Sequence, residues 1–112
     1  MSKPIQFNPA AIGPLAGVRV IDLSRLVAGN MISLQLGDFG ADVIKVEPPQ
    51  GDPLREWKED GHPLFWKVYG RNKRSIALNL REAGDMASLR AMPRASDVFI
   101  ENFRPGTLEE RG

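Results

Sequence analysis

Short apolar runs, broken at intervals by glycine, proline and charge, dominate the 112-residue chain. Val18-Arg19-Val20-Ile21-Asp22-Leu23 is β-branched and almost continuously apolar, the pattern of a strand covered on both faces. Asp42-Val43-Ile44-Lys45-Val46-Glu47 repeats it and stops at Pro48-Pro49. Between the two, Ile32, Leu36 and Phe39 fall at helical spacing with Met31 and Leu34 beside them, which predicts a helix over 31–39. Gly29-Asn30 reads as the turn before that helix, and Gly40 as its C-terminal cap. Leu64 to Tyr69 reads as a short helix. Ser75-Ile76-Ala77-Leu78-Asn79-Leu80 alternates polar and apolar residues, as a strand near a sheet edge does. Met86, Leu89 and Met92 predict a helix ended by Pro93, and Asp97 to Glu101 a last strand. Thr107 with Glu110 three residues on resembles a capping box opening a further helix. Strands alternating with helices predict βαβ units, a mostly parallel sheet with flanking helices and an α/β class.

The same pattern sets apart residues 1–14. Pro4, Pro9, Gly13 and Pro14 interrupt them and no hydrophobic period runs through them, so they read as an extended arm before a domain over 15–112. The chain stops at Gly112 just after the expected capping box, so it is expected to be the N-terminal part of something longer.

Composition narrows the function classes. Fifteen basic and fourteen acidic side chains leave a formal charge of +1, so no global field draws the chain to nucleic acid or an anionic membrane. Anion binding would have to come from a local cluster. With no cysteine there is no disulfide framework, thiolate nucleophile or cysteine zinc site. No apolar run approaches the ~20 residues of a bilayer span, and the N-terminus lacks the apolar region of a secretory signal. A cytoplasmic protein is expected.

Candidate chemistry is sparse. The segment after the first expected strand, Asp22 to Asn30, has one glycine and no G-x-G-x-x-G, so the dinucleotide fingerprint is missing. Glu47 stands where a ribose-binding acid would, but acids end strands often. No phosphate loop of the G-x-x-x-x-G-K-[ST] kind occurs. Gly70-Arg71-Asn72-Lys73-Arg74-Ser75 is the densest basic cluster, either a phosphate site or a solvated loop beside a strand. His62 is the only histidine, without the companions a metal site needs, and no metal is expected. Trp57 and Trp66 read as packing anchors.

Several blocks carry more. Leu15-Ala16-Gly17-Val18-Arg19-Val20-Ile21-Asp22-Leu23-Ser24-Arg25, Ala28-Gly29 and Leu36-Gly37-Asp38-Phe39-Gly40-Ala41-Asp42-Val43-Ile44-Lys45-Val46-Glu47-Pro48-Pro49 come in order. Gly51-Asp52-Pro53, Arg71-Asn72-Lys73-Arg74-Ser75-Ile76 and Asp97-Val98-Phe99-Ile100-Glu101-Asn102-Phe103-Arg104-Pro105-Gly106 follow. Together they resemble family III CoA-transferases over residues 15–112, a group that also holds alpha-methylacyl-CoA racemases.

The resemblance implies a Rossmann-like large domain, an interlocked homodimer in complete members, and coenzyme A as the bound group, with acyl-CoA and carboxylic acids as substrates. It implies coenzyme A contacts at Val27-Ala28, at Leu78-Asn79-Leu80-Arg81 and at Asn102-Phe103-Arg104. Val27 stands where formyl-CoA transferases often have glutamine, and Pro48 where some relatives have a phosphate-binding arginine. The resemblance also implies a nucleophilic aspartate beyond Gly112, so no catalytic residue is expected in this chain, and Asp22 and Asp42 read as structural. Two other expectations stand beside the transferase: a racemase or isomerase acting on an acyl-CoA, and a non-catalytic coenzyme A-binding module.

Overall fold

The computed structural model describes residues 2–112 and holds four strands and three α-helices. In chain order they are β1 (Arg19–Asp22), α1 (Ala28–Asp38), β2 (Asp42–Glu47), α2 (Leu64–Tyr69), β3 (Lys73–Ala77), α3 (Ala83–Ala91) and β4 (Val98–Ile100). All strand pairs are parallel and the spatial order is β3-β2-β1-β4. The chain builds outward from β1 to β3, then crosses back to lay β4 on the other side of β1. Crossovers between parallel strands are right-handed, so this reversal places α1 and α3 on opposite faces of the sheet. The α/β, parallel-sheet expectation holds, and β3 is an edge strand as its alternation predicted. No helix among the described residues is long and apolar enough to cross a membrane.

Strand side chains alternate between the faces, and the two faces differ in chemistry. Towards α3 point Ile21, Leu23 and Val46, which close with Leu78, Met86 and Leu89 into the larger apolar core. Full burial of such side chains contributes about 1.5–3 kcal/mol each. Towards α1 the layer starts apolar, with Val20, Ala41 and Val43 packed against Leu36. It then turns ionic at Asp22, Lys45 and Glu47, all buried within the strands. Register explains the juxtaposition, since Asp22 lies opposite Lys45, which lies opposite Ser75, while Val43 lies opposite Lys73.

Several boundaries differ from the sequence reading. Helix α1 begins at Ala28, so Gly29-Asn30 form its first turn rather than a preceding one. A Cβ on Gly29 would come within 2.1 Å of the Ser24 side chain, so only glycine lets the helix start this close to the end of β1. The buried face of α1 is Gly29, Asn30, Ser33 and Leu34, while Met31, Ile32 and Phe39 are exposed. Polar residues win the inner face because the sheet beneath is charged. Gly40, at φ 105°, follows the helix as expected. Strand β3 runs two residues earlier than its alternation suggested, from Lys73 to Ala77, which leaves Leu78 to Leu80 beyond its end. Pro93 opens a 3-10 turn over Met92–Ala95 that continues α3. The capping box at Thr107 does not form. The Glu110 N–H donates to the Gly106 carbonyl at 2.9 Å, and a 3-10 turn covers Glu109–Arg111 without a side-chain cap.

The ionic layer is a closed set of partners. Lys45, with no exposed side-chain area, lies 3.4 Å from the Asp22 carboxylate and 3.3 Å from that of Asp52, which are equally buried. Lys45 also donates to the Ser24 carbonyl, and Lys73 reaches Asp22 at 3.8 Å and the Asn30 carbonyl at 2.9 Å. Asp22 further accepts from Ser33 and from the Ser24 N–H at 2.8 Å. Two carboxylates and two ammonium groups balance, and no buried side-chain polar atom among the described residues lacks a partner. Burial pushes the pKa of Lys45 down, with Asp22 and Asp52 pulling the other way. Burial likewise lowers Lys73, to about 8, against the attraction of Asp22 and Asp52 and with help from Lys45.

Two outcomes follow for the full protein. Lys45→Met leaves two buried carboxylates with only Lys73, and should cost about 3–5 kcal/mol in denaturant unfolding. A loss under about 1 kcal/mol would show that the cluster does not need its central cation. Lys73 binds its proton less tightly folded than unfolded, so its burden on stability is complete below pH 8. It is relieved as pH rises from about 8 towards the ordinary lysine value of 10.5, so stability should increase with pH across that window. Lysine 45 contributes a rise of the same sign, so Lys73→Met should make the slope shallower rather than flat. An unchanged slope would show that Lys73 does not titrate there.

Candidate functional site

Where the strand order reverses, the loops leaving β1 and β4 part, and open α/β sheets bind ligands in that crevice at the carboxyl ends of the strands. Here a cavity of about 390 Å³ opens at those ends. Leu78 to Arg81, beyond β3, form one wall and Pro48 to Gln50, beyond β2, another. Arg25 comes from the loop after β1, and Phe103, Thr107, Leu108 and Arg111 from the segment after β4. Three arginines thus share one cavity with Leu78, Leu80, Phe103 and Leu108, and none of the lining residues is acidic.

Each wall is held by a specific bond set. The Leu23 N–H continues the sheet ladder to the Ile100 carbonyl at 2.8 Å. One residue pair further on, Asn102 takes over: its Oδ1 accepts from the Arg25 N–H at 2.9 Å and its Nδ2 donates to the Arg25 carbonyl at 3.0 Å. Asp52 accepts from the Leu26 N–H at 3.2 Å and from the Asn30 amide at 3.0 Å. Burial raises the Asp52 pKa, but bonds from Leu54, Asn30 and Leu26 and the charge of Lys45 outweigh it and hold the carboxyl below its ordinary value. Glu47 ties the second wall down. It accepts from the Asp52 N–H at 2.8 Å, from Arg55 at 2.7 and 2.8 Å, and from the Ser75 hydroxyl. Burial opposes ionisation of Glu47, but those bonds win and bring its pKa down to about 2. Arg55 in turn stacks 3.9 Å over the Trp66 ring, and Trp57 packs edge-on against Phe65, so both tryptophans anchor the loop as expected.

Arg25 is half-buried. Its Nη1 donates to the Val46 carbonyl at 3.0 Å and to the carbonyls of Leu23 and Ser24, while its guanidinium lies 5.4 Å over the Phe103 ring. Burial pulls its pKa below the usual arginine value, with Asp52, Asp22 and Glu47 opposing. Arg111 donates to the Leu80 carbonyl at 3.1 Å, and the Arg81 N–H caps onto Asn79 at 3.1 Å.

Of the residues expected at the site, Leu78, Asn79, Leu80, Arg81 and Phe103 line the cavity. Asn102 directs its amide onto Arg25, Val27 precedes and Ala28 opens α1, and Arg104 stands exposed beside Phe103. Arg25 and Arg111 are lining residues that the sequence reading gave no role. The cavity draws on four separate segments, so no spacing along the chain could show them. The basic cluster lies elsewhere. Arg71 pairs with Asp38 at 2.7 Å, Arg74 with Asp42 at 2.7 Å, and Lys73 is buried beside Asp22. The cluster is therefore neither a phosphate site nor a solvated loop: Lys73 and Arg74 belong to β3, and each of the three cations has a carboxylate partner. His62 sits on an exposed turn paired with Glu59.

Comparison with known proteins bears on the family of the chain. Residues 15–112 match the model of CoA-transferase family III. The chain is 48% identical over 103 residues to the succinyl-CoA–D-citramalate CoA-transferase of Chloroflexus aurantiacus, covering 88% of this chain and 26% of that enzyme. It is 42% identical over 106 residues to the succinyl-CoA:glutarate CoA-transferase of Mus musculus, covering 88% of this chain and 24% of that one. A crystal structure of a CAIB/BAIF family protein from Brucella suis superposes with a TM-score of 0.84 at 36% identity, over 90% of this chain and 29% of that one. The chain therefore spans about a quarter of the length of the curated relatives it matches. Fold, motif order and sequence identity agree: the chain belongs to CoA-transferase family III.

Proposed function

We propose that the chain forms the coenzyme A-binding part of an enzyme that transfers coenzyme A between carboxylic acids. The observation that carries this reading is the cavity at the strand ends, where three arginines meet an apolar lining without any carboxylate. Adenine fits against Leu78, Leu80 and Phe103, and the phosphates against Arg81, Arg111 and the free edge of Arg25, since guanidinium groups bind phosphate oxygens in pairs. At about 390 Å³ the cavity suits the adenosine and phosphate end of coenzyme A, with the pantetheine arm leaving along Val27, Ala28 and Arg104.

The same lining supports a division of labour. It supplies cations and apolar contact but no nucleophile, and the buried acids Asp22 and Asp52 are committed to Lys45. In this reading an aspartate downstream of Gly112 attacks the thioester carbonyl of the donor. The C–S bond breaks, the coenzyme A thiolate leaves, and a mixed anhydride remains on the aspartate. The thiolate, still held by this segment, attacks the aspartyl carbonyl of that anhydride and releases the donor carboxylate. The acceptor carboxylate then displaces the thiolate to form a second anhydride. The thiolate attacks its acyl carbonyl, which yields the new thioester and frees the aspartate. Acyl-CoA and carboxylic acids are the substrates, and a homodimer is the proposed assembly. The two enzymes from Chloroflexus aurantiacus and Mus musculus named above are CoA-transferases, which favours transfer over racemisation.

Calorimetric titration of coenzyme A into the full protein tests this. Each of Arg81→Ala and Arg111→Ala should weaken binding by about tenfold, the size of one lost charge-assisted hydrogen bond. Raised salt should mute the loss, because these side chains are exposed enough to be screened. Arg104→Ala should cost less than either, and His62→Ala nothing. Absence of binding, or a larger loss in Arg104→Ala than in Arg81→Ala and Arg111→Ala, would refute the assignment.

A further inference from the structure

The loop that carries Arg25 to the cavity holds an unfavourable backbone. Leu26 has φ 64°, a left-handed conformation that costs a non-glycine residue on the order of 1 kcal/mol or more. Such a residue persists only where its neighbours are held on both sides. On one side the buried Asp52 carboxylate takes the Leu26 N–H. On the other, Asn102 pairs with both polar groups of the Arg25 main chain, at 2.9 and 3.0 Å. This pair extends the β1–β4 ladder by one rung, across the mouth of the crevice, after the Leu23–Ile100 bond. The next residue, Phe103, lies under the Arg25 guanidinium. Asn102 and Phe103 thus grip Arg25 at its backbone and at its charged end.

The guanidinium is committed on one edge only. Nη1 meets the carbonyls of Leu23, Ser24 and Val46, while Nε and Nη2 have no acceptor among the described residues. The residue lines the cavity, and no buried side-chain polar atom among the described residues is unsatisfied, so that second edge is open to solvent. An arginine held by three carbonyls, one ring and one amide is a preorganised anion donor, and preorganisation improves affinity by removing the ordering cost at binding.

We infer that Asn102 is a positioning residue for Arg25, acting on the bound anion through the β1–α1 loop rather than by its own contact. The inference rests on the coenzyme A reading for its ligand, but the clamp itself does not. One N–H and one lone pair of Asn102 remain uncommitted, so a direct contact is the competing outcome.

Two measurements on the full protein decide it. The first is a double-mutant cycle read by calorimetric affinity for coenzyme A. Arg25→Ala and Asn102→Ala should each weaken binding by about tenfold, and the double variant should be no more than about twofold weaker than Arg25→Ala alone. Asn102→Asp keeps the acceptor for the Arg25 N–H and loses the donor to its carbonyl, so it should recover part of the loss. Losses that multiply in the double variant would overturn the inference, because Asn102 would then touch the ligand independently of Arg25. The second is hydrogen exchange of the Arg25 amide without ligand, which should speed up about tenfold in Asn102→Ala and less in Asn102→Asp. Unchanged exchange would overturn the clamp. If the wild-type protein fails to bind coenzyme A, the functional reading falls, and the exchange result alone decides whether Asn102 holds the loop.

Discussion

Lys45 is the charge around which the chain is arranged. A lysine on a central strand, with no side-chain area exposed, would give up its proton or unfold its surroundings unless carboxylates met it. Asp22 comes from the neighbouring strand at the same register, and Asp52 from the loop after β2. Their attraction offsets the desolvation of all three groups, and such clusters end close to neutral in net stability. The apolar face towards α3 therefore supplies most of the favourable energy, and the ionic face supplies constraint. Lys45 can be satisfied in one register and with one loop conformation only. A slip of one residue between β1 and β2 would put it against the apolar face.

From that constraint the crevice follows. Asp52 meets Lys45, and the same carboxylate then faces Leu26 and Asn30. One group thereby binds the loop after β2 to the loop after β1. Glu47, one alternation further along β2, repeats the device at the rim: it fixes the Asp52 N–H, Ser75 of β3 and Arg55 of the following turn. The walls of the cavity are loops, and loops move unless their polar groups are committed. Here the ionic layer beneath α1 commits them, and the arginines that face the cavity inherit a fixed frame.

Much of this was legible along the chain, and the failures have a common cause. The β-branched runs at Val18 to Leu23 and Asp42 to Glu47 located two strands, and the polar-apolar alternation after Ser75 located an edge strand. Alternation was also the missed signal. Reading β1 and β2 as almost continuously apolar took Asp22 only as structural and gave Lys45 no part, although the two are opposite charges in strands expected to be covered on both faces. Such charges must pair, and the pair predicts a polar inner face for the helix above. That is why Ser33 and Asn30 are buried on α1 while Ile32 and Phe39, chosen by helical spacing, are exposed. Thr107 and Glu110 had the right spacing for a capping box, but the chain there tightens into a 3-10 turn whose first bonds come from carbonyls.

The site was half legible for a different reason. Leu78 to Arg81 and Phe103 were found through the family resemblance, and the fold puts each block just past a strand, where a parallel sheet offers its ligand face. Arg25 and Arg111 escaped because their contribution depends on three-dimensional closure. Arg25 is aimed by a carbonyl of β2, a ring beyond β4 and an amide beside that ring, none near it in sequence. Arg111 is aimed by the Leu80 carbonyl, 31 residues away. The dense run Arg71 to Arg74 shows the converse. Three cations in four residues looked like an anion site, yet carboxylates 32 to 51 positions earlier had already claimed each one. Charge density along a chain measures how many partners a fold must find. Whether a cation is left for a ligand depends on how many acids the sheet register delivers to it, and register is a property of the fold.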